Sequence, residues 1–394
     1  MRIPELIFGH LLTGSNFDDT GTSASSSTGS VESSQSGRMT GGRHGYGAKL
    51  TNIFSNRFDL DIYNHRLQQR YQQHWRDHMF ICEPPVVTSG AQTGLPQTTG
   101  NYTSITFEPD LKRFNLDRSI SGSADVIDAD KSMSQSGTTD GFSDALLGTI
   151  AMMHRRVVDI AACVSSSKRA IEVTLNGRAV PVTSFQAYLD LFNGSSNAVN
   201  TAILATEGTG EMPAPVAVQA PSKALYCKVS DRWEVGVASS PSGAFEQMSF
   251  VNGVWTPRGG THVNAVASQV LAAIEEALTK RRTQIGAVMP TAHLLRSRLF
   301  LFVRASVESP TFDSQAKDTL TSPARSWGSV PVLPTAFLKT IVQSGIVEDI
   351  VAEIAMREHA RLLRSTAAGG ARGSARYVDV PKLEDAHAAG GARR

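Results

Sequence analysis

Strand-like and helix-like segments alternate along this chain, and this alternation constrains the fold more than any single motif. Strands are predicted at 104–109, 232–239, 245–254 and 299–307, with a hairpin over 170–182. Helices are predicted over 146–164, over 345–364 and along a face formed by Val266, Val270, Ile274 and Leu278. The pair Asn176-Gly177 gives the hairpin its turn signal. The alternation predicts an α+β fold, in the form of an α/β sandwich, with two domains in series.

Length, charge and cysteine usage limit the possible classes of protein. The 394 residues suffice for two or three domains. A formal net charge of +2 leaves no global basic field, so any contact with nucleic acid has to be local. Cys82, Cys163 and Cys227 form no C-x-x-C pair, which argues for a reducing compartment and against a disulfide framework or structural zinc. No apolar run approaches the roughly 20 residues of a bilayer span, so no membrane association is expected.

Polar, low-complexity stretches separate the ordered segments. Half of the residues in GTSASSSTGSVESSQS (21–36) are serine, which predicts a disordered insert. The residues at 207–223 are rich in Pro, Ala and Gly and make the best interdomain boundary. The predicted organisation is a first domain over 1–206 with inserts at 17–38 and 120–142, a linker over 207–223, a second domain over 224–364 and a connector over 365–394.

One short stretch, TGGRHGYGAKL (40–50), combines four glycines with Arg43 and Lys49. Glycines let a backbone approach a ligand closely, and apolar spacing after Lys49 predicts a helix whose first amides favour an anion. Neither a Walker A loop nor a dinucleotide fingerprint fits, because Ala48 separates Gly47 from Lys49 and Leu50 replaces a required glycine. The stretch predicts a phosphate site, although an ordinary surface turn explains these residues equally well.

Six blocks carry a resemblance that covers nearly the whole chain apart from the inserts. They are PELIFGHLLTGSN (4–16), TGGRHGYGAKLTNIFSNRF (40–58), YTSITFEPDLKRF (102–114), SFVNGVWTPRGGTHV (249–263), SPTFDSQAKD (309–318) and VPKLEDAHAAGG (380–391). In this order they resemble eukaryotic-type DNA topoisomerase II (type IIA). The resemblance implies an incomplete Bergerat-type ATPase domain, followed by a transducer domain of the ribosomal protein S5 domain 2-like type. Within the same fold, a chaperone or mismatch-repair ATPase is the nearest alternative.

The resemblance implies ATP binding at two places. Gln315 and Lys317 match a loop in which the lysine reaches the γ-phosphate, with Ala316 in place of a threonine. The family usually has asparagine at His44 and serine at Gly14. The residues implied to contact the nucleotide are Ser15, Asn16, Gly42, Arg43, His44, Gly45, Tyr46, Gly47, Ala48, Lys49, Gln315 and Lys317.

A basic cluster formed by Lys280, Arg281 and Arg282 ends the helix that carries Ile274. In the family, a basic stretch at this place touches DNA inside the gate. Such phosphate contacts are independent of base sequence and sensitive to salt. The alternative interpretation is a solvated helix C-terminus that the helix dipole favours.

The resemblance places the catalytic groups outside these residues. Family members carry the general-base glutamate and the magnesium-holding asparagine ahead of the segment that corresponds to 4–16. The DNA-cleaving tyrosine and the TOPRIM domain follow the segment that corresponds to 380–391. We therefore expect no catalytic residue and no metal ligand here, Mg²⁺ held largely by groups outside the chain, and negligible ATP hydrolysis by the chain alone. Steady-state ATPase turnover at the rate of a full-length topoisomerase II would contradict this expectation.

The implied partners are double-stranded DNA and a second copy of the chain in a homodimer. The implied location is the nucleus, with a DNA-containing organelle as the alternative. A function of another class is a truncated, non-catalytic paralogue that binds DNA or a partner. The mass of the native protein in a cell extract separates these functions, because a species far larger than 42.2 kDa indicates a piece of the working enzyme.

Overall fold

A computed structural model describes residues 2–11, 13, 39–42, 45–96, 98–116, 144–164, 171–193, 224–281 and 290–367. The predicted inserts at 17–38 and 120–142, the linker over 207–223 and the connector beyond Ala367 lie outside the described residues. The described part is a mixed α+β structure built on two larger sheets.

The first sheet is antiparallel, and two helices precede it in the chain. Its strand order is β3-β2-β1-β5, and β4 pairs with β2. Phe58 of β1 lies opposite Trp75 of β2 and Phe107 of β5. The elements are α1 (Ile3–Gly9), α2 (Tyr46–Ile53), β1 (Ser55–Asn64), β2 (Gln69–Arg76), β3 (Ile81–Cys82), β4 (Val86–Ser89) and β5 (Tyr102–Pro109), with a 3-10 turn at Gly90–Thr93.

A small apolar cluster forms the buried part of this sheet. Phe58, Leu60, Tyr71 and Trp75 are buried together, and Phe8 of α1 packs against them. Strand β5 leaves large apolar side chains such as Phe107 exposed. The apolar core of the first sheet is therefore small for the length of its strands.

The second sheet has the order β11-β10-β13-β9-β8, with β10 and β13 parallel and the other pairs antiparallel. Its strands are β8 (Leu225–Lys228), β9 (Trp233–Ser239), β10 (Glu246–Val251), β11 (Val254–Trp255) and β13 (Leu299–Ala305). The remaining elements are α3 (Asp144–Val164), β6 (Thr174–Leu175), β7 (Arg178–Ala179), α4 (Phe185–Asn193), β12 (Gly259–Gly260), α5 (Thr261–Lys280), α6 (Ala292–Ser297), β14 (Thr319–Leu320), α7 (Thr335–Gln343) and α8 (Ile346–Ala367), with a 3-10 turn at Ala324–Ser326.

Helices cover both faces of the second sheet. On one face, α5, α7 and α8 pack against β9 and β13 through residues such as Val235, Val270 and Leu301. On the other face, α3 and α4 pack against Phe250 and Phe302. Strands buried on two faces read as continuous apolar runs, which explains the sequence of LFLFVRA in β13. The layers are helix, sheet and helix.

The packing of α3 and α4 differs from the predicted division of the chain. Both helices belong to the stretch predicted as the first domain (1–206), but their buried residues contact the second sheet. A Cβ on Gly236 of β9 would lie only 2.1 Å from Leu189 Cδ2, so a glycine is required where α4 touches the strand. Packing therefore groups 144–193 with the second sheet, and the linker over 207–223 stays a prediction.

Most predicted elements are confirmed, but one predicted strand is broken and the last helix is longer than predicted. The hairpin turns at Asn176 and Gly177, which have φ of 50° and 77°. The strand predicted over 245–254 is broken at Asn252 and Gly253, whose φ values of 51° and 77° turn the chain between β10 and β11. The last helix runs to Ala367, into the predicted connector.

Candidate functional site

The glycine stretch opens α2, as its sequence predicts. Gly45 caps the helix with φ 66° and ψ 18°, a left-handed conformation that glycine adopts without strain. None of the described side chains caps the first turn, and that turn contains no acidic residue. Within the described part of the chain, no neighbouring atom lies within 4 Å of where a Cβ on Gly42 or Gly47 would be, so these residues leave open space beside the helix start. The first amides of α2 are therefore suited to an anion.

Lys49 lies one turn inside α2 and is only 1% exposed. Its Nζ donates to the carbonyl of Thr13 at 2.8 Å, and no ion pair joins it to a carboxylate within the described residues. A Cβ on Gly45 would lie 3.5 Å from this Nζ, so Gly45 is next to the ammonium group. Burial lowers the pKa of Lys49. Among the described residues, this buried ammonium group therefore has a carbonyl partner and no counter-charge.

Hydrogen bonds hold Thr13 against the end of α1 and join α2 to α1. Thr13 Oγ1 donates to the carbonyls of Leu6 and His10, each at 2.8 Å. Buried Asn52 of α2 donates to the carbonyl of Phe8 at 3.1 Å, and its Oδ1 has no partner among the described residues. Thr13 and Asn52 could not be recognised from the sequence, because Lys49 and Phe8, the partners that bring them into the site, lie 36 and 44 residues away.

The glycine stretch touches the second sheet at the turn between β10 and β11. A Cβ on Gly41 would lie 2.7 Å from Val254 Cγ2 and 3.8 Å from the carbonyl oxygen of Asn252. Only a glycine allows this approach. The Asn252-Gly253 pair carries the same turn signal as Asn176-Gly177, so the sequence contains the signal for this contact point.

The side chain of Asn252 also hydrogen-bonds the start of the loop that carries Gln315 and Lys317. Its Nδ2 donates to the carbonyl of Val307 at 2.8 Å, and its Oδ1 accepts from the Val307 amide at 2.8 Å. These paired hydrogen bonds imitate those of a neighbouring strand. Asn252 therefore connects the point that Gly41 touches with the point from which the loop leaves β13.

The far end of that loop is fixed by a close approach of two backbones. Strand β12 pairs with β14 in parallel, with Gly260 opposite Leu320. Gly260 has φ 134°, and a Cβ there would lie 2.3 Å from the Leu320 carbonyl oxygen. This contact requires glycine at the second position of the GGTHV sequence.

Lys317 has φ 63° and is half-buried, whereas Gln315 is exposed. Burial lowers the pKa of Lys317, and its side chain forms no ion pair within the described residues. No hydrogen bond joins either side chain to the described part of the glycine stretch. Ser15, Asn16, Arg43 and His44 lie outside the described residues, so their predicted roles stay predictions.

Comparisons with known proteins agree on one family. A family model described as DNA gyrase B matches residues 184–369. DNA topoisomerase 2 of Arabidopsis thaliana is 36% identical over 389 residues, which is 99% of this chain and 21% of that protein. The crystal structure of the ATPase and transducer domains of DNA topoisomerase II from Balamuthia mandrillaris aligns with a TM-score of 0.65 and 32% identity, covering 91% of this chain and 72% of that one. The chain belongs to the DNA topoisomerase II family. A second solved relative, the ATPase region of Saccharomyces cerevisiae topoisomerase II, gives a TM-score of 0.63 at 32% identity and covers 90% of this chain and 71% of that one.

The chain spans about a fifth of the length of the topoisomerase 2 proteins that it matches. Within the family it corresponds to the ATPase and transducer region. The gyrase B match begins at residue 184, ahead of the predicted linker, and it includes α4, which packs on the second sheet.

The basic cluster at the end of α5 is paired with carboxylates. Lys280 Nζ lies 2.6 Å from Glu276, and Arg281 donates to Glu348 of α8 at 2.7 Å. Arg282 lies outside the described residues. This pairing supports the alternative of a solvated helix terminus for these two cations, and DNA contact stays a prediction.

The described residues contain neither a candidate metal cluster nor a candidate membrane span. No group of three or more His, Cys, Asp and Glu side chains is placed to hold a metal ion there. None of the described helices combines the length and apolar character that a bilayer span requires.

Proposed function

We propose that the glycine turn and Lys49 bind the phosphates of ATP, and that the chain relays the nucleotide state within an ATP-dependent type II DNA topoisomerase. One observation carries this proposal: Lys49 is 1% exposed, and the one hydrogen bond of its ammonium group among the described residues goes to the Thr13 carbonyl. A phosphate beside Gly45 would supply the missing negative charge. It would also accept from the first amides of α2.

The described residues are suited to a bound phosphate in two respects. Among the described residues, the turn is open at Gly42 and Gly47, and the first turn of α2 contains no acidic residue. When bound, ATP would supply a γ-phosphate that is lost on hydrolysis. Lys317, which has no ion-pair partner in the described residues, is proposed to sense that phosphate, with Gln315 beside it. Asn252 would transmit the change, because it bonds Val307 while its own turn meets Gly41.

The wider assembly follows from the family and belongs to this proposal. We propose that Mg²⁺ accompanies the nucleotide, with its ligands largely outside this chain, and that the parent protein acts as a homodimer on double-stranded DNA. We further propose a nuclear location, with a DNA-containing organelle as the alternative. Relatives named DNA topoisomerase 2 support the choice of DNA as the substrate. Immunodetection in purified nuclei and organelles would test the location.

Binding of inorganic triphosphate tests the central proposal, because it needs no contact with the adenine. Calorimetry on the full chain should show binding that Lys49→Gln weakens about tenfold or more, since a charge-assisted hydrogen bond contributes about 1.5–3 kcal/mol. Lys339→Gln is the matched control, because Lys339 is exposed on α7. Unchanged affinity in Lys49→Gln, with an unchanged melting temperature, would refute the proposal.

The role of Lys317 is tested by comparing triphosphate with pyrophosphate. If Lys317 contacts the terminal phosphate, Lys317→Gln should reduce the preference for triphosphate and leave pyrophosphate affinity unchanged. Equal losses for the two ligands would show a general charge effect instead.

A further inference from the structure

A cavity of about 340 Å³ lies between α3, the β6–β7 hairpin, α4 and β10. It is separate from the glycine turn and from the loop that carries Lys317. Its walls are mostly apolar, and they include Val158, Val180, Val182, Leu191, Phe192 and Met248. This volume is within the range of small-molecule sites, about 300–1,000 Å³.

One polar side chain in the wall is incompletely satisfied. Asp159 is 3% exposed, and its Oδ1 accepts from the Tyr188 hydroxyl at 2.7 Å. Its Oδ2 is buried and has no hydrogen-bond partner among the described residues. Arg155 Nε lies 3.9 Å from Oδ2, which is too long for a hydrogen bond. The carboxylate therefore has a nearby counter-charge and one acceptor atom without a donor.

The position of Arg155 explains why it does not close on Asp159. Its Nη2 lies 3.1 Å from Met248 Sδ, and its guanidinium stacks 4.6 Å from the Trp255 ring centre. Arg156 stacks on the same ring at 5.0 Å. These contacts hold the guanidinium away from Asp159, whose carboxylate lies in the cavity wall.

We propose that this cavity binds a small neutral aromatic compound whose N–H or O–H group donates to Oδ2 of Asp159. The apolar walls suit a ring, and the acceptor requires a donor. A neutral donor fits better than a cation, because Arg155 and Arg156 already place two positive charges beside the carboxylate. An occupant would bridge α3, α4 and β10.

Indole and benzothiophene test this proposal on the full chain, because they have the same shape and differ by an N–H group. Ligand-observed NMR titration should show indole binding at least about tenfold more tightly than benzothiophene. In Asp159→Asn that preference should vanish, since the amide facing the cavity donates instead of accepting. Asp190→Asn is the matched control, because Asp190 is exposed on α4 and does not line the cavity.

Ala151→Trp provides a second test that leaves the buried carboxylate in place. Ala151 is an exposed residue at the cavity wall, so a tryptophan there should block the entrance and abolish binding of both compounds. Unchanged binding in this variant would place the compounds elsewhere and overturn the proposal. Equal affinity of indole and benzothiophene for the unmodified chain would overturn it as well, whether or not Asp159→Asn folds.

Discussion

The two sheets of this chain differ in how they are buried, and the proposed site uses both. The apolar cluster of the first sheet contains four buried side chains, and Ile105 and Phe107 on β5 are exposed. The second sheet is covered by helices on both faces, so that β9 and β13 are buried almost throughout. The glycine turn and Lys49 precede the first sheet in the chain, whereas Gln315 and Lys317 are carried by the second. The proposed phosphate-binding turn therefore lies with the weakly packed part, and the proposed sensing loop is fixed to the strongly packed part.

The most direct test of this difference compares matching leucines. Leu60 of β1 and Leu301 of β13 are 1% and 0% exposed. Leu301→Ala should lower the free energy of unfolding by about 4 kcal/mol and Leu60→Ala by about 2 kcal/mol. A tightly packed site cannot collapse into the cavity that the substitution leaves, so the loss is larger there. Denaturant unfolding with separate tryptophan reporters, Trp75 and Trp233, would measure each region. Equal losses would mean that the two sheets are equally well packed.

Gly260→Ala should have the next largest effect, about 3 kcal/mol, because the added Cβ meets the Leu320 backbone. Gly177→Ala is the control. Gly177 also has positive φ, 77°, but open space around its Cβ position, so it isolates backbone strain at about 1 kcal/mol. Thermal unfolding would give both values. A loss no greater at Gly260 than at Gly177 would show that β14 can move away without cost.

Acid should destabilise the second sheet and the helices that pack on it through His262, which is 0% exposed at the start of α5. Burial lowers the pKa of His262 to about 3, below the value of about 6.5 in an unfolded chain. The unfolded state therefore takes up the proton first. The free energy of unfolding should therefore decrease by about 1.4 kcal/mol for each pH unit below 6.5, until the pH reaches about 3. His262→Gln should lack this slope in denaturant titrations. The same slope in that variant would assign it to other groups.

The smallest expected change concerns Lys280. Its exposed pair with Glu276 contributes less than about 0.5 kcal/mol, so Lys280→Ala should leave the melting temperature almost unchanged. If Lys280 contacts a phosphate of DNA, the same variant should lower the slope of log affinity against log salt by about 1. Lys339→Ala is the control. Identical salt slopes for the two variants would leave Lys280 as a solvated cation.

Local patterns predicted the long helices α3, α5 and α8 and strands β9 and β13, because the spacing of apolar residues and turn residues acts over a few positions, but they did not predict β1 or β2 of the first sheet. The helix after the glycine stretch and the β6–β7 hairpin follow from such signals. The break at Asn252-Gly253 carried the same signal as the hairpin but lies inside an apolar run, where strand periodicity dominated the prediction.

Sequence patterns were sufficient to give the family, the fold class, the alternation of helices and strands, and a glycine turn at a helix start with a lysine one turn later. Tertiary structure alone decided the burial of Lys49 against Thr13, the pairing of Arg281 with Glu348 and the packing of α3 and α4 on the second sheet. These features join residues that are far apart in the chain. Local spacing does not encode such contacts, because they depend on which apolar surfaces meet when the layers close.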